Sequence, residues 1–109
     1  MGENIDLYPK KAELLKALAH PVRLQIVRGL LKEGCRNVTC MEQRLGQSQS
    51  SISQHLAKLK AAGVVRARRS GNEVYYEAAS PEVAQCIAVL FGDDPDSYEL
   101  RGKDDCPCG

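Results

Sequence analysis

The side chains best suited to direct chemistry in this 109-residue chain are five cysteines, Cys35, Cys40, Cys86, Cys106 and Cys108. Soft thiolates at Cys35, Cys40, Cys106 and Cys108 would select soft ions such as trivalent arsenic, cadmium or copper(I). The same thiols could instead form a disulfide or persulfide in response to oxidants or sulfide, with Arg36 and Arg44 favouring thiolate. A five-residue separation on a continuous helix turns two side chains about 140° apart, so Cys35 must sit in a loop if it shares an ion with Cys40. Cys86 lies three residues after Val83 and four before Leu90, on an apolar stripe, and reads as a small buried hydrophobe. No general base, phosphate loop or nucleophile constellation accompanies the thiols, so the chain is not read as an enzyme.

The odd number of cysteines, in a chain whose start MGENIDLYPKK lacks a secretion signal, argues against a disulfide framework. Reduced thiols in the cytoplasm are expected. Hydrophobic residues make up 43% and charged residues 27%, an ordinary globular balance. No apolar run approaches the roughly 18 residues of a membrane span, so no membrane partner is expected. Aromatic residues are only 5% and Trp is absent, which suits a helical core of Leu, Ile, Val and Ala.

The net charge of +1 conceals a segregation. Arg44, Lys58, Lys60, Arg66, Arg68 and Arg69 fall between Gln43 and Asn72 with no Asp or Glu among them. Asp93, Asp94, Asp96, Glu99, Asp104 and Asp105 outnumber Arg101 and Lys103 after Phe91. A basic middle is suited to a polyanion and an acidic end repels one.

Hydrophobic spacing supplies the elements. A first helix starts with Pro9 in its first turn and runs to about Ala19 on Leu14, Leu15 and Leu18. A second runs from Pro21 to Gly34 on Val22, Ile26, Val27, Leu30 and Leu31. Thr39, with Glu42 three residues on, predicts the capping box of a short third helix ended by Gly46. Ser48 or Ser50 caps a fourth, with Ile52, Leu56 and Leu59 inward and Ser51, Gln54, His55 and Lys58 outward. Val64–Arg69 and Glu73–Glu77, around Ser70-Gly71-Asn72, form a hairpin. Ser80 and Pro81 open a last helix with Val83, Ile87 and Leu90 on one face. The reading is one domain over 1–92, mainly α with a β-hairpin, and an acidic flexible tail over 93–109.

A short helix, a glycine turn and a longer helix with polar residues outward is the helix-turn-helix arrangement, and the basic hairpin after it would be a wing. Gln amides and Ser hydroxyls can bond base edges or phosphates, while the hairpin cations neutralise the backbone. The segments ALAHPVRLQIV (Ala17–Val27), SQSSISQHLAKLKAAGVV (Ser48–Val65) and RRSGNEVYYE (Arg68–Glu77) together resemble the ArsR/SmtB family of winged helix-turn-helix repressors, over residues 10 to 91. The resemblance implies a homodimer through the first and last helices, a two-fold symmetric double-stranded operator and release on binding an inducer. It points to Gln49, Ser50, Ser53 and Gln54 as groove contacts, with Ser51, His55 and Lys58 nearby and Arg68, Arg69 and Asn72 in the wing. Ser48 could cap its helix and also bond a phosphate.

The inducer sites known for such proteins are not matched. A zinc site on the last helix would use Asp and His, but His20 and His55 lie far from Pro81–Phe91. The C-x-C-x-x-C run that binds arsenic or antimony in the third helix is replaced by N-V-T-C-M-E. The chain needs no obligatory cofactor in this reading. Its expected inducer is a thiophilic metal or metalloid ion held by Cys35, Cys40, Cys106 and Cys108; a thiol redox or reactive-sulfur sensor is the alternative.

Overall fold

The computed structural model describes residues 5–98. In chain order the elements are α1 (Leu7–Leu18), α2 (Pro21–Glu33), β1 (Arg36–Asn37), α3 (Val38–Leu45), α4 (Gln49–Ala61), β2 (Val65–Ser70), β3 (Glu73–Ala78), α5 (Pro81–Phe91) and a 3-10 turn, Pro95–Ser97. Helices pack around one apolar core, with a three-stranded antiparallel sheet at its side in the order β1-β3-β2. Ile26, Val27, Leu30 and Leu31 of α2, Met41 of α3, Ile52, Leu56 and Leu59 of α4, and Val83 and Ile87 of α5 meet there. The buried positions of α4 are i, i+4 and i+7, one stripe of a 3.6-residue helix, so its other faces are left to water.

Side-chain caps fix where the helices begin. His20 Nδ1 accepts from Val22 N–H at the start of α2, and Ser48 Oγ accepts from Ser51 N–H at the start of α4. Asn37, not Thr39, caps α3: its Oδ1 accepts from Cys40 N–H at 2.8 Å. The reason lies in the sheet. Arg36 and Asn37 pair with Tyr76 and Tyr75 of β3, which holds Asn37 extended and makes it the residue where the helix can begin. The two-residue β1 was not foreseen in the sequence. Gly46, with φ of 65°, turns α3 into α4.

β2 and β3 pair from Val65 opposite Ala78 to Ser70 opposite Glu73, leaving Gly71 and Asn72 as the turn. The hairpin therefore forms as expected, with Tyr75 buried and Tyr76 packed on the core.

Two differences concern the last helix. Its buried stripe is Val83, Ala84, Ile87 and Ala88, so Cys86 and Leu90 fall outside it. Cys86 is exposed, contrary to the buried position expected, and Leu90 is 68% exposed. The residues after Gly92 also pack closely. Asp93 accepts hydrogen bonds from Nε and Nη2 of Arg28, both at 2.8 Å, and from the Tyr98 hydroxyl. These contacts hold the Asp93 carboxyl far below the usual carboxylate range; burial, then the bond to Asp93, pushes Tyr98 up to about 12. The chain thus stays pinned to α2 as far as Tyr98, within the stretch read as the start of the tail.

Candidate DNA interface and thiol site

The polar residues of α4 emerge where its apolar stripe leaves them. Ser48, Gln49, Ser50, Ser53, Gln54 and Lys58 are exposed. Acceptors, amide donors and one cation on a helix surface next to a hairpin are the chemistry that base edges and phosphates accept. Ser51 is half-buried, and its hydroxyl donates to Gln47 Oε1 at 3.2 Å. His55 is also half-buried. Its Nδ1 accepts from Arg23 Nε at 3.1 Å, and its ring lies 4.5 Å from that of His20. Burial, then the charges of His20, Arg23 and Lys58, lowers its pKa. The neutral ring is thereby retained as an acceptor that locks α4 to the α1–α2 junction, where Arg23 also donates to Ala17 O.

The wing divides its cations by strand alternation. Arg69, Ser70, Gly71 and Asn72 are exposed at its end. Arg66 and Arg68 share the other face of β2, and both bond Glu77: Arg66 Nε to Oε2 at 2.6 Å, Arg68 Nε to Oε1 at 3.1 Å. Glu77 is only 4% exposed, and a buried carboxylate needs such partners. Of the wing residues singled out in the sequence, Arg69 and Asn72 face outward, whereas Arg68 is turned toward Glu77. The importance of Glu77 was missed, although the hairpin register places it opposite Arg66 once the Gly71–Asn72 turn is fixed.

The thiols occupy different surroundings. Cys35 is fully buried between α2 and β1 and is disulfide-bonded; Nη2 of Arg68 lies 3.8 Å from its sulfur. Cys40 is a buried free thiol and Cys86 an exposed one. Cys35 does lie outside a helix, as a shared site would require, but the two thiols are not present as a free pair. Beside them Glu33 bridges Arg36 at 2.9 Å and Arg44 at 2.6 Å, and the hydrogen bond from Arg36, outweighing burial, lowers its pKa. Among the described residues no group of three or more His, Cys, Asp or Glu is placed to hold a metal ion. Cys106 and Cys108 lie outside the described residues, so the four-cysteine set is not assembled within them.

The outer helices keep apolar surface in water. Leu7, Tyr8 and Leu15 of α1 and Val89, Leu90 and Phe91 of α5 are exposed, Val89 at 84%. No helix among the described residues is long and apolar enough to cross a membrane.

Comparison with known proteins agrees with this geometry. Residues 18–68 match the model of a helix-turn-helix domain family. The transcriptional repressor PagR of Bacillus anthracis is 46% identical over 79 residues, covering 72% of this chain and 79% of that protein. Among solved structures, reduced HlyU from Vibrio cholerae superposes with a TM-score of 0.74 at 39% identity, over 80% of this chain and 90% of its own. The homodimeric winged helix-turn-helix domain of Mb0332 from Mycobacterium bovis, described as a possible ArsR-family regulator, gives 0.74 at 34% identity, over 84% and 87%. The matched repressors, the helix-turn-helix and its basic wing lead to one conclusion: the chain belongs to the ArsR/SmtB family of winged helix-turn-helix transcriptional repressors, DNA-binding regulators and not enzymes.

Proposed function

We propose that the chain acts as a homodimer on a two-fold symmetric operator, with Gln49, Ser50, Ser53 and Gln54 of α4 in the major groove and the wing on the phosphates, and that oxidation of Cys35 to a disulfide releases the DNA. Apolar residues left in water on α1 and α5 support the dimer, as does the homodimeric state of the Mycobacterium bovis relative.

The observation that carries the thiol reading is the position of Cys35: buried, disulfide-bonded and beside an arginine of the wing. Cys106 or Cys108 is the proposed partner. Seven residues lie between Tyr98 and Cys106, a reach of roughly 26 Å when extended. Two thiols lose two protons and two electrons; a peroxide takes them and leaves as water, a polysulfide as sulfide. A solved relative, HlyU from Vibrio cholerae, is named in a reduced form, which supports this reading. The thiophilic-ion reading, with Cys35, Cys40, Cys106 and Cys108 as ligands, draws on Cys40, a buried free thiol.

One titration separates the two. Operator-bound dimer is treated in parallel with arsenite, cadmium, copper(I), peroxide and polysulfide, and the thiols are followed by mass spectrometry. Release by peroxide or polysulfide, with loss of two mass units and a Cys35 cross-link, supports the disulfide. Release only by the ions, with a bound-ion mass, supports the alternative.

A further inference from the structure

We infer that Arg68 is a positioning residue that carries the oxidation state of Cys35 to the DNA-binding wing. The inference rests on the thiol reading above. Cys35 is joined to the wing twice. Through the backbone, the residues that follow it, Arg36 and Asn37, pair with Tyr76 and Tyr75 of β3, and Tyr75 is in turn opposite Arg68 on β2. Through side chains, the Arg68 guanidinium spans from Glu77 Oε1, at 3.1 Å, to the sulfur of Cys35, at 3.8 Å. The other oxygen of Glu77 is held by Arg66 at 2.6 Å. Arg68 therefore shares one buried carboxylate with a second cation and has the sulfur on its other side.

The chemistry of that sulfur decides how strongly it holds the guanidinium. A thiolate is an anion, and a charge-assisted hydrogen bond to it is about twice as strong as one between neutral groups. A disulfide sulfur has no charge and accepts weakly, in keeping with the long contact seen here with Cys35 bonded. Reduction leaves Cys35 a thiol beside the Arg68 guanidinium, a cation that favours loss of its proton, and so gives Arg68 a stronger acceptor; oxidation by a peroxide or diamide, which takes up the two electrons and two protons of the cysteine pair, withdraws it. Arg69 and Ser70 follow directly on the same strand, and the Gly71–Asn72 turn comes after them. A change in the seating of Arg68 thus moves the exposed end of the wing, although Arg68 itself is turned toward Glu77 and Cys35.

The test compares wild type with R68Q, R68K and R69Q, measuring Kd for an operator duplex by fluorescence anisotropy in phosphine reductant and after diamide. Glu77 keeps Arg66 in every variant, and thermal melts confirm folding. Wild type should weaken at least tenfold on oxidation. R68Q should bind as weakly when reduced as when oxidised, bringing the ratio within twofold of one, while R68K, which keeps the charge, retains a ratio above threefold. R69Q should weaken both states by the same factor and leave the ratio unchanged. R68Q with the wild-type ratio overturns the role of Arg68 and leaves the redox reading standing. Wild type without any oxidation response overturns both.

Discussion

Nδ1 of His55, in the middle of α4, accepts a hydrogen bond from Nε of Arg23, in the first turn of α2, at 3.1 Å. The bond needs a neutral acceptor, and burial, then the neighbours His20, Arg23 and Lys58, penalises a charged ring. Because the folded pKa is depressed, the unfolded chain binds the proton first. The stability this site contributes is complete above about pH 6.5, the ordinary histidine value, and is lost as pH falls through the depressed folded value. Melting curves from pH 8 to pH 5 should show a decline that His55→Gln flattens; an unchanged slope in that variant would place the titration elsewhere.

The cap of α3 gives a paired prediction. Asn37→Ala should cost about 1 kcal/mol, or a fall in Tm of roughly 4–8 °C for a domain of this size. Thr39→Ala, at an exposed position inside the helix, should stay within about 0.5 kcal/mol of wild type. Denaturant unfolding of the two variants checks both, and the reverse order would restore the capping box.

Leu90→Glu should convert the dimer to monomer in light scattering, because it places a charge on an apolar surface of α5 that the monomer leaves 68% exposed. Operator affinity should fall at least tenfold, since each half then binds alone. Cys86, four residues earlier on the same helix, should be alkylated faster in that variant than in wild type. A dimeric Leu90→Glu protein with unchanged Cys86 reactivity would move the interface away from α5.

Much of this architecture was legible in sequence because it depends on local patterns. The stripe Ile52, Leu56, Leu59 set the orientation of α4 and so left Gln49, Ser53 and Gln54 outward, and Ser70-Gly71-Asn72 marked the hairpin. Pairings between residues distant in sequence were not legible. The pairing of Arg36 with Tyr76 moved the α3 cap to Asn37, and the 32-residue separation of Arg23 and His55 concealed the partner of a histidine placed near the groove contacts. Cys86 misled for another reason: the apolar stripe of α5 continues into Leu90, and sequence does not say that part of such a stripe is left uncovered by its own chain.

The two faces of β2 should differ in salt dependence. Arg69→Ala removes an outward cation and should lower the slope of log K against log salt by about 0.9 for each phosphate that this side chain neutralises. Arg66→Ala should change the slope less, since Glu77 already neutralises that guanidinium. Anisotropy titrations over a range of salt give both slopes, and equal changes in the two variants would contradict the division of cations described here.

Recovery of bound duplexes from a random-sequence pool tests the placement of α4 most directly. The expected result is a two-fold symmetric sequence with half-sites about one helical turn apart, bound about a thousandfold or more tighter than random duplex, with base preference altered at one position per half-site by Gln54→Ala. Recovery of no common sequence, or the same sequence with the same preference from the Gln54→Ala, Ser53→Ala and Gln49→Ala proteins, would contradict it.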